Sequence, residues 1–141
     1  MKRNLILFFL VITSFWHGYA QTIPQVIDTA DVTLTSTNSP YTVDKSIVVS
    51  EGRKLIIEKG VVLNFTGEEK YIDVRGLFQV AEGVTINMAN GTLIKTEGIG
   101  RIEFNGTLQD SVVVTGENWK RIDINNSGSI IKYSSITVTG N

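Results

Sequence analysis

The sequence predicts an all-β protein folded as a right-handed parallel β-helix (a solenoid) of about four coils, with three short strands in each coil. Three observations support this fold class. Short runs of alternating apolar and polar residues follow one another after Tyr41. Glycines punctuate these runs at short and nearly regular intervals. Two stretches of the chain, 59–65 and 82–88, also resemble each other.

The alternating runs have the two-residue period of β-strands, in which successive side chains point to opposite faces. Val, Ile, Thr and Phe are frequent in them, and these side chains suit a pleated sheet. No segment after the signal-like N-terminus shows a sustained helical period. The predicted strands centre on residues 47–49, 55–57, 63–65, 72–74, 78–80, 86–88, 102–104, 112–114 and 122–124.

The similarity of the two stretches favours a coil. Residues 59–65 (KGVVLNF) align with residues 82–88 (EGVTINM), so that Leu63 falls on Ile86 and Asn64 on Asn87. Similarity at a fixed period is typical of a solenoid, in which each repeat stacks on the next. We therefore expect Leu63 and Ile86 to point inward and to lie in adjacent strands, about 4.8 Å apart.

The alternation also predicts which side chains form the core and which face solvent. Asp73 is followed one coil later by Lys95, which predicts a ladder of opposite charges rather than a pair of acids. The expected inward residues include Ile72, Val74, Ile86 and Met88, and the expected outward ones include Asp73, Arg75, Asn87 and Glu103.

An antiparallel β-sandwich is the alternative fold. Short strands at such regular spacing also fit an immunoglobulin-like domain. Asn90-Gly91 and Asn105-Gly106 would suit the tight turns of hairpins. The sandwich does not predict the alignment of residues 59–65 with residues 82–88, which is why the coil is the preferred fold.

The chain divides into a signal peptide (1–20), a lead-in or N-terminal cap segment (21–40) and the β-helix domain (41–141). Lys2 and Arg3 precede an apolar core, and Gly18 and Ala20 provide the small residues of a cleavage site. The apolar core, residues 5–15, is too short for a membrane-spanning helix, which needs about 20 residues. We expect a secreted or cell-surface protein without a transmembrane segment after signal removal.

Composition excludes several kinds of chemistry. The chain has no Cys, and its single His, His17, lies within the predicted signal peptide. Thiol catalysis, Cys-ligated metals and an imidazole base are therefore excluded from the mature chain, and we expect no cofactor and no metal. The net charge is −1, or −3 without the signal peptide, and no basic tract indicates nucleic-acid binding.

A further set of segments follows the order of strands and corners along the chain: residues 39–43 (SPYTV), 47–49 (IVV), 55–60 (LIIEKG), 72–76 (IDVRG), 119–122 (WKRI) and 129–136 (SIIKYSSI). These segments resemble the N-terminal coils of secreted bacterial right-handed parallel β-helix proteins of the pectin-lyase-like superfamily. The resemblance covers about 100 residues (41–141) and implies the fold more than an activity, because that superfamily includes lyases, hydrolases, adhesins and non-catalytic surface repeats.

The acidic residues do not form a recognisable catalytic pattern. Calcium needs about six to eight converging oxygen ligands, and glycoside hydrolysis needs two carboxylates about 5 to 10 Å apart. The Asp and Glu residues are instead scattered over outward positions and corners, so we assign no catalytic residue and favour a protein that is not an enzyme. Trp119 and Tyr133 are the candidate ligand-binding residues, as an aromatic shelf for a sugar; the alternative is that each packs at a corner.

The expected function is an exported, non-catalytic β-helix scaffold that binds polysaccharide or another cell-surface component. One alternative is the N-terminal part of a polysaccharide lyase or glycoside hydrolase whose active site lies in further coils. Another is an adhesin or assembly module that stacks end to end. Residues 136–141 continue a strand pattern with no charge cluster or proline after it, which predicts self-association through the C-terminal coil.

Overall fold

The structure, a computed structural model, describes residues 23–140 as a parallel β-helix of five coils with three strands in each. Every pair of neighbouring strands runs parallel. This confirms the predicted solenoid over the antiparallel sandwich. The predicted signal peptide, 1–20, lies outside the described residues.

The same strand of each coil pairs with its counterpart in the next coil, so that three five-stranded sheets form the three faces. Sheet 1 contains β1 (Val26–Ile27), β4 (Ile47–Val49), β7 (Tyr71–Val74), β10 (Leu93–Thr96) and β13 (Arg121–Asp123). Sheet 2 contains β2 (Val32–Leu34), β5 (Lys54–Ile57), β8 (Leu77–Val80), β11 (Arg101–Asn105) and β14 (Ile130–Lys132). Sheet 3 contains β3 (Tyr41–Val43), β6 (Val62–Phe65), β9 (Thr85–Met88), β12 (Val112–Glu117) and β15 (Ser134–Thr139). A short 3-10 turn, Ser36–Asn38, lies between β2 and β3.

The register confirms the alignment of the two similar stretches. Leu63 pairs with Ile86 and Asn64 pairs with Asn87 across β6 and β9. The Asn87 side-chain amide donates a hydrogen bond to Oδ1 of Asn64 over 2.7 Å on the outer face of sheet 3. This one hydrogen bond therefore links the second and third coils.

The solenoid has one coil more than predicted, because the lead-in segment contributes strands of its own. Strands β1 and β2 lie within residues 21–40 and pair with the next coil. Ile27 and Leu34 point inward and are almost fully buried. The Tyr41 hydroxyl accepts a hydrogen bond from the Thr35 backbone N–H over 2.9 Å and lies 3.2 Å from the carbonyl oxygen of the same residue. The first coil is thus tied together by apolar burial and by one tyrosine.

The core fills the inside of the coils. Ile72, Val74, Ile86 and Met88 are buried there, as predicted from the alternation. Phe78 and Phe104, at the same side of neighbouring coils, meet edge to face with ring centroids 6.0 Å apart, which is a favoured geometry for aromatic pairs. One continuous apolar stack therefore runs along the solenoid axis.

Charged side chains link coils at the corner between sheets 2 and 3. The Lys59 ammonium lies 2.8 Å from Glu82 Oε1 and 2.8 Å from Asp110 Oδ2, which belong to the two following coils. Hydrogen bonds to Asp110 and Glu82 raise the pKa of Lys59 above its ordinary value. Because these groups are exposed, we assign the cluster a role in holding the register rather than a large share of the stability.

Candidate functional site

A groove lies at the corner between sheet 1 and sheet 2, where three successive coils turn from one face to the next. Its volume is about 340 Å³. We call it the basic groove, because four of its eight lining residues are cationic. It is lined by Gly52, Arg53, Lys54, Arg75, Gly76, Leu77, Ile99 and Arg101.

Close stacking of the backbone forms the floor of the basic groove. A Cβ atom on Gly76 would lie 2.1 Å from the carbonyl oxygen of Arg53, and one on Gly100 would lie 1.8 Å from that of Val74. Only glycine allows the corners to approach this closely. The cationic side chains next to these glycines therefore project from a compact floor.

The strand register arranges part of the groove as a column. Lys54 pairs with Leu77, and Leu77 pairs with Arg101, on the outer face of sheet 2. With neighbouring strands about 4.8 Å apart, the backbones of Lys54 and Arg101 lie about 10 Å apart along the solenoid axis. A ligand lying along the axis would meet a cation, an apolar side chain and a second cation in turn.

The charges of the basic groove are only partly neutralised. Within residues 23–140, Lys54 and Arg101 form no ion pair. Arg53 donates from Nε to the backbone carbonyl of Asp28 over 3.0 Å, a bond that leaves the guanidinium charge unneutralised. In the part of the chain that the structure describes, no acidic side chain lines the groove. A locally positive surface therefore exists on a chain whose net charge is −1.

The outer face of sheet 1 borders the groove and carries an ion-pair ladder. Asp73, Lys95 and Asp123 occupy matching positions on successive strands, which is the alternation of charges that the sequence predicts. Arg75 Nη2 lies 2.9 Å from Asp73 Oδ2, and the Lys95 ammonium lies 3.9 Å from the same oxygen. The ion pairs thus join the third and fourth coils, whereas Asp123 in the fifth coil pairs with Arg121 of its own strand.

Asp73 departs from the prediction that it faces solvent. Its side chain is on the outer face, yet the residue is only 3% exposed, since Arg75 and Lys95 lie over it. Its second oxygen, Oδ1, is buried and has no hydrogen-bond partner among the described residues. The hydrogen bond to Asp73 raises the pKa of Arg75. Asp73 therefore fixes the position of the Arg75 guanidinium at the rim of the basic groove.

The ladder predicts a small dependence of stability on pH. A hydrogen bond to Lys95 lowers the pKa of Glu97 below its ordinary value of 4.5, and the same bond raises the pKa of Lys95 above 10.5. The contribution of ionised Glu97 is therefore present above its ordinary pKa and is lost as the pH falls through its folded-state pKa. The Lys95 contribution is present below the ordinary pKa of lysine and is lost as the pH rises through the folded-state value.

We expect Glu97→Gln to lower the urea denaturation midpoint slightly near neutral pH, and this effect should shrink as the pH falls through the folded-state pKa of Glu97. Glu103→Gln, outside the ladder, is the matched control. A Glu97→Gln effect that stays the same over the whole acidic range would contradict the electrostatic origin.

The two aromatic candidates lie at different corners. Trp119 follows β12, is 3% exposed and donates from Nε1 to the Thr137 carbonyl over 2.9 Å, so its ring packs into the core. Tyr133 follows β14, is 55% exposed and has a φ of 42°. Its carbonyl oxygen would lie 2.2 Å from a Cβ atom on Gly106, so the backbones are closely stacked there too. The structure does not bring Trp119 and Tyr133 together as a shelf.

The basic groove did not emerge from the sequence analysis, although a signal is present. A basic residue adjoins the corner glycine on three successive coils, as Gly52-Arg53, Arg75-Gly76 and Gly100-Arg101. The net charge does not show this pattern, because it sums over the whole chain and the cations lie among acidic residues. Arranging the sequence by coil would have brought them into one column.

The described residues offer no support for a metal site or a membrane-spanning helix. Among residues 23–140, no three His, Cys, Asp or Glu side chains are grouped as metal ligands would be. The same part of the chain contains no helix with the length and apolarity that crossing a membrane requires. Comparison of the chain with protein-family models, curated proteins and solved structures gave no match.

Proposed function

We propose that this chain is an exported, non-catalytic β-helix scaffold that binds polysaccharide carrying anionic groups, and that the basic groove is the binding site. The observation that carries the proposal is the convergence of Arg53, Lys54, Arg75 and Arg101 from three coils on one open groove. Export rests on the predicted signal peptide, and the resemblance to the pectin-lyase-like superfamily is consistent with a surface role.

The chemistry of the groove suits such a ligand. A guanidinium group binds carboxylate or sulfate through two parallel hydrogen bonds, which fixes orientation as well as adding affinity. Leu77 and the exposed Ile99 offer apolar surface to the C–H faces of a sugar ring. A volume of about 340 Å³ is near the lower limit for small-molecule sites. The groove would therefore hold one or two sugar units, with the rest of the polymer outside.

The proposal predicts that binding depends on charge and that it weakens when a cationic residue of the groove is replaced by an acidic one. We expect the protein to bind polygalacturonate or alginate and not a neutral glucan, with an affinity that falls as salt is added. Arg101→Glu and Lys54→Glu should each weaken binding at least tenfold in isothermal titration calorimetry. Lys45→Glu makes the same charge change at the corner between sheets 3 and 1 and should bind like the parent chain.

Equal affinity of the Arg101→Glu and Lys45→Glu variants would exclude the basic groove as the binding site. The same mixtures also test the enzymatic alternative. New reducing ends or the absorbance of unsaturated uronate would show cleavage, and the proposal of a non-catalytic scaffold would then be wrong.

A further inference from the structure

A second groove lies at the other end of the sheet 2 strands, at the corner between sheets 2 and 3. Its volume is about 440 Å³. We call it the amide groove, because the side chains of Gln79 and Asn105 line it together with Ile56, Ala81 and Glu58. These residues belong to the second, third and fourth coils, whose sheet 2 strands each pair on both sides. The amide groove therefore lies in the middle of the solenoid, away from its two ends.

The chemistry of the amide groove suits an uncharged sugar. Within residues 23–140, the amide groups of Gln79 and Asn105 form no hydrogen bond. Each amide offers two N–H donors and one carbonyl acceptor, so it can pair with hydroxyl or acetamido groups. Ile56 and Ala81 supply apolar surface beside the amides for the C–H face of a ring.

The charges of the amide groove are the reverse of those in the basic groove. Glu58 lines the amide groove, Glu103 lies beside it on the outer face of β11, and neither forms an ion pair within residues 23–140. Glu82 also lines it and shares the single ammonium of Lys59 with Asp110. Acidic groups therefore outnumber cations, and a carboxylate placed in the amide groove would meet like charges.

The outer face of sheet 2 joins the two grooves. Lys54 and Ile56 are successive outward residues of β5, and Leu77 and Gln79 are successive outward residues of β8. The first residue of each pair lines the basic groove and the second lines the amide groove. Two residues of a strand span about 7 Å. This short separation allows linked sugar units of one polymer to occupy both grooves.

We propose that the amide groove is a second subsite for the same ligand and binds uncharged sugar units next to the anionic unit in the basic groove. This inference rests on the proposed function of the basic groove, and it narrows the ligand to a polysaccharide in which anionic and neutral units alternate. Such a polymer lies along the strands of sheet 2 and crosses the solenoid axis. A polymer with a carboxylate on every unit binds through the basic groove alone, because its next unit would meet Glu58 and Glu103.

Two tetrasaccharides test this preference. The hyaluronan tetrasaccharide alternates glucuronate with uncharged N-acetylglucosamine, whereas tetragalacturonate carries a carboxylate on every unit. In isothermal titration calorimetry, we expect the hyaluronan tetrasaccharide to bind about tenfold more tightly although it has half the charges, because only its neutral units can use the amides. Equal or tighter binding of tetragalacturonate would overturn the alternating-polymer inference.

Variants of the two amides test the subsite itself. Combining Gln79→Ala with Asn105→Ala should weaken binding of the hyaluronan tetrasaccharide about tenfold and change binding of tetragalacturonate by less than about twofold. Gln25→Ala removes an exposed amide that precedes β1 in the first coil, and it should leave both affinities unchanged. Circular dichroism checks that the variants keep the parent fold.

Arg101→Glu separates failure of the subsite from failure of the basic groove. If it weakens binding of both tetrasaccharides while the double amide variant binds them like the parent chain, the amide groove is not a subsite and the proposed function stands. If neither tetrasaccharide binds, or if Arg101→Glu changes neither affinity, the proposed function and the subsite are both wrong.

Discussion

Replacing Phe78 with alanine is expected to lower the free energy of unfolding by about 3–5 kcal/mol. Phe78 is fully buried, stacks between Leu55 and Ile102 and meets Phe104 edge to face. The coils on either side fix the side chains around Phe78, so the cavity left by the substitution cannot close by a small rearrangement. The loss combines the transfer free energy of the ring with the cost of the cavity. Urea denaturation followed by circular dichroism measures the change.

Gln79→Ala is the control for this prediction, since Gln79 is the next residue of β8 and occupies the outer face. Substitutions at such surface positions usually change stability by no more than about 0.5 kcal/mol. Similar denaturation midpoints for Phe78→Ala and Gln79→Ala would show that the apolar stack does not carry the stability of the coil.

Gly100→Ala is expected to destabilise the protein by about 3 kcal/mol or more, because nothing at the corner can move aside cheaply. The new Cβ atom would lie 1.8 Å from the carbonyl oxygen of Val74 in the coil below. The coils would have to separate there, which would also displace Arg101 from the basic groove. We therefore expect both a lower denaturation midpoint and weaker polysaccharide binding.

Gly98, two residues earlier, provides the comparison. It has a φ of +58°, and a Cβ atom there would meet nothing within 4 Å. Gly98→Ala should therefore cost only the strain of a left-handed alanine, about 1 kcal/mol. If both alanine variants lose the same stability, close backbone stacking at Gly100 is not what requires glycine there.

The inward and outward positions of the central strands could be predicted, because local alternation and the repeat lead to the same assignment. The repeat places Lys95 one coil after Asp73, but the alternation does not identify strand β10 around it. Leu93 lies on its outer face, while the polar Thr96 points inward and is 1% exposed. Thr96 is accommodated because its hydroxyl accepts a hydrogen bond from the Asn125 N–H over 2.8 Å. A partner in the next coil decides its position, and no local pattern contains that information.

The strands of the first coil and the candidate site also could not be predicted from local sequence, because both depend on contacts between coils. Residues 21–40 contain both prolines and many Ser and Thr, a composition typical of a loop, yet they form strands because β4 and β5 provide partners. The burial of Trp119 depends on the Thr137 carbonyl of the next coil. The basic groove likewise exists only once three coils are stacked.

The uneven length of the coils has a practical consequence. Leu93 pairs with Tyr71 in the coil before it and with Arg121 in the coil after it. More residues separate Leu93 from Arg121 than from Tyr71, and the strands nevertheless remain in register. The corners absorb the difference, as where Leu108 protrudes between β11 and β12 with 78% of its surface exposed. Such corners are natural attachment points for foreign peptides. A peptide grafted there would be displayed on a rigid rod whose interior it does not enter.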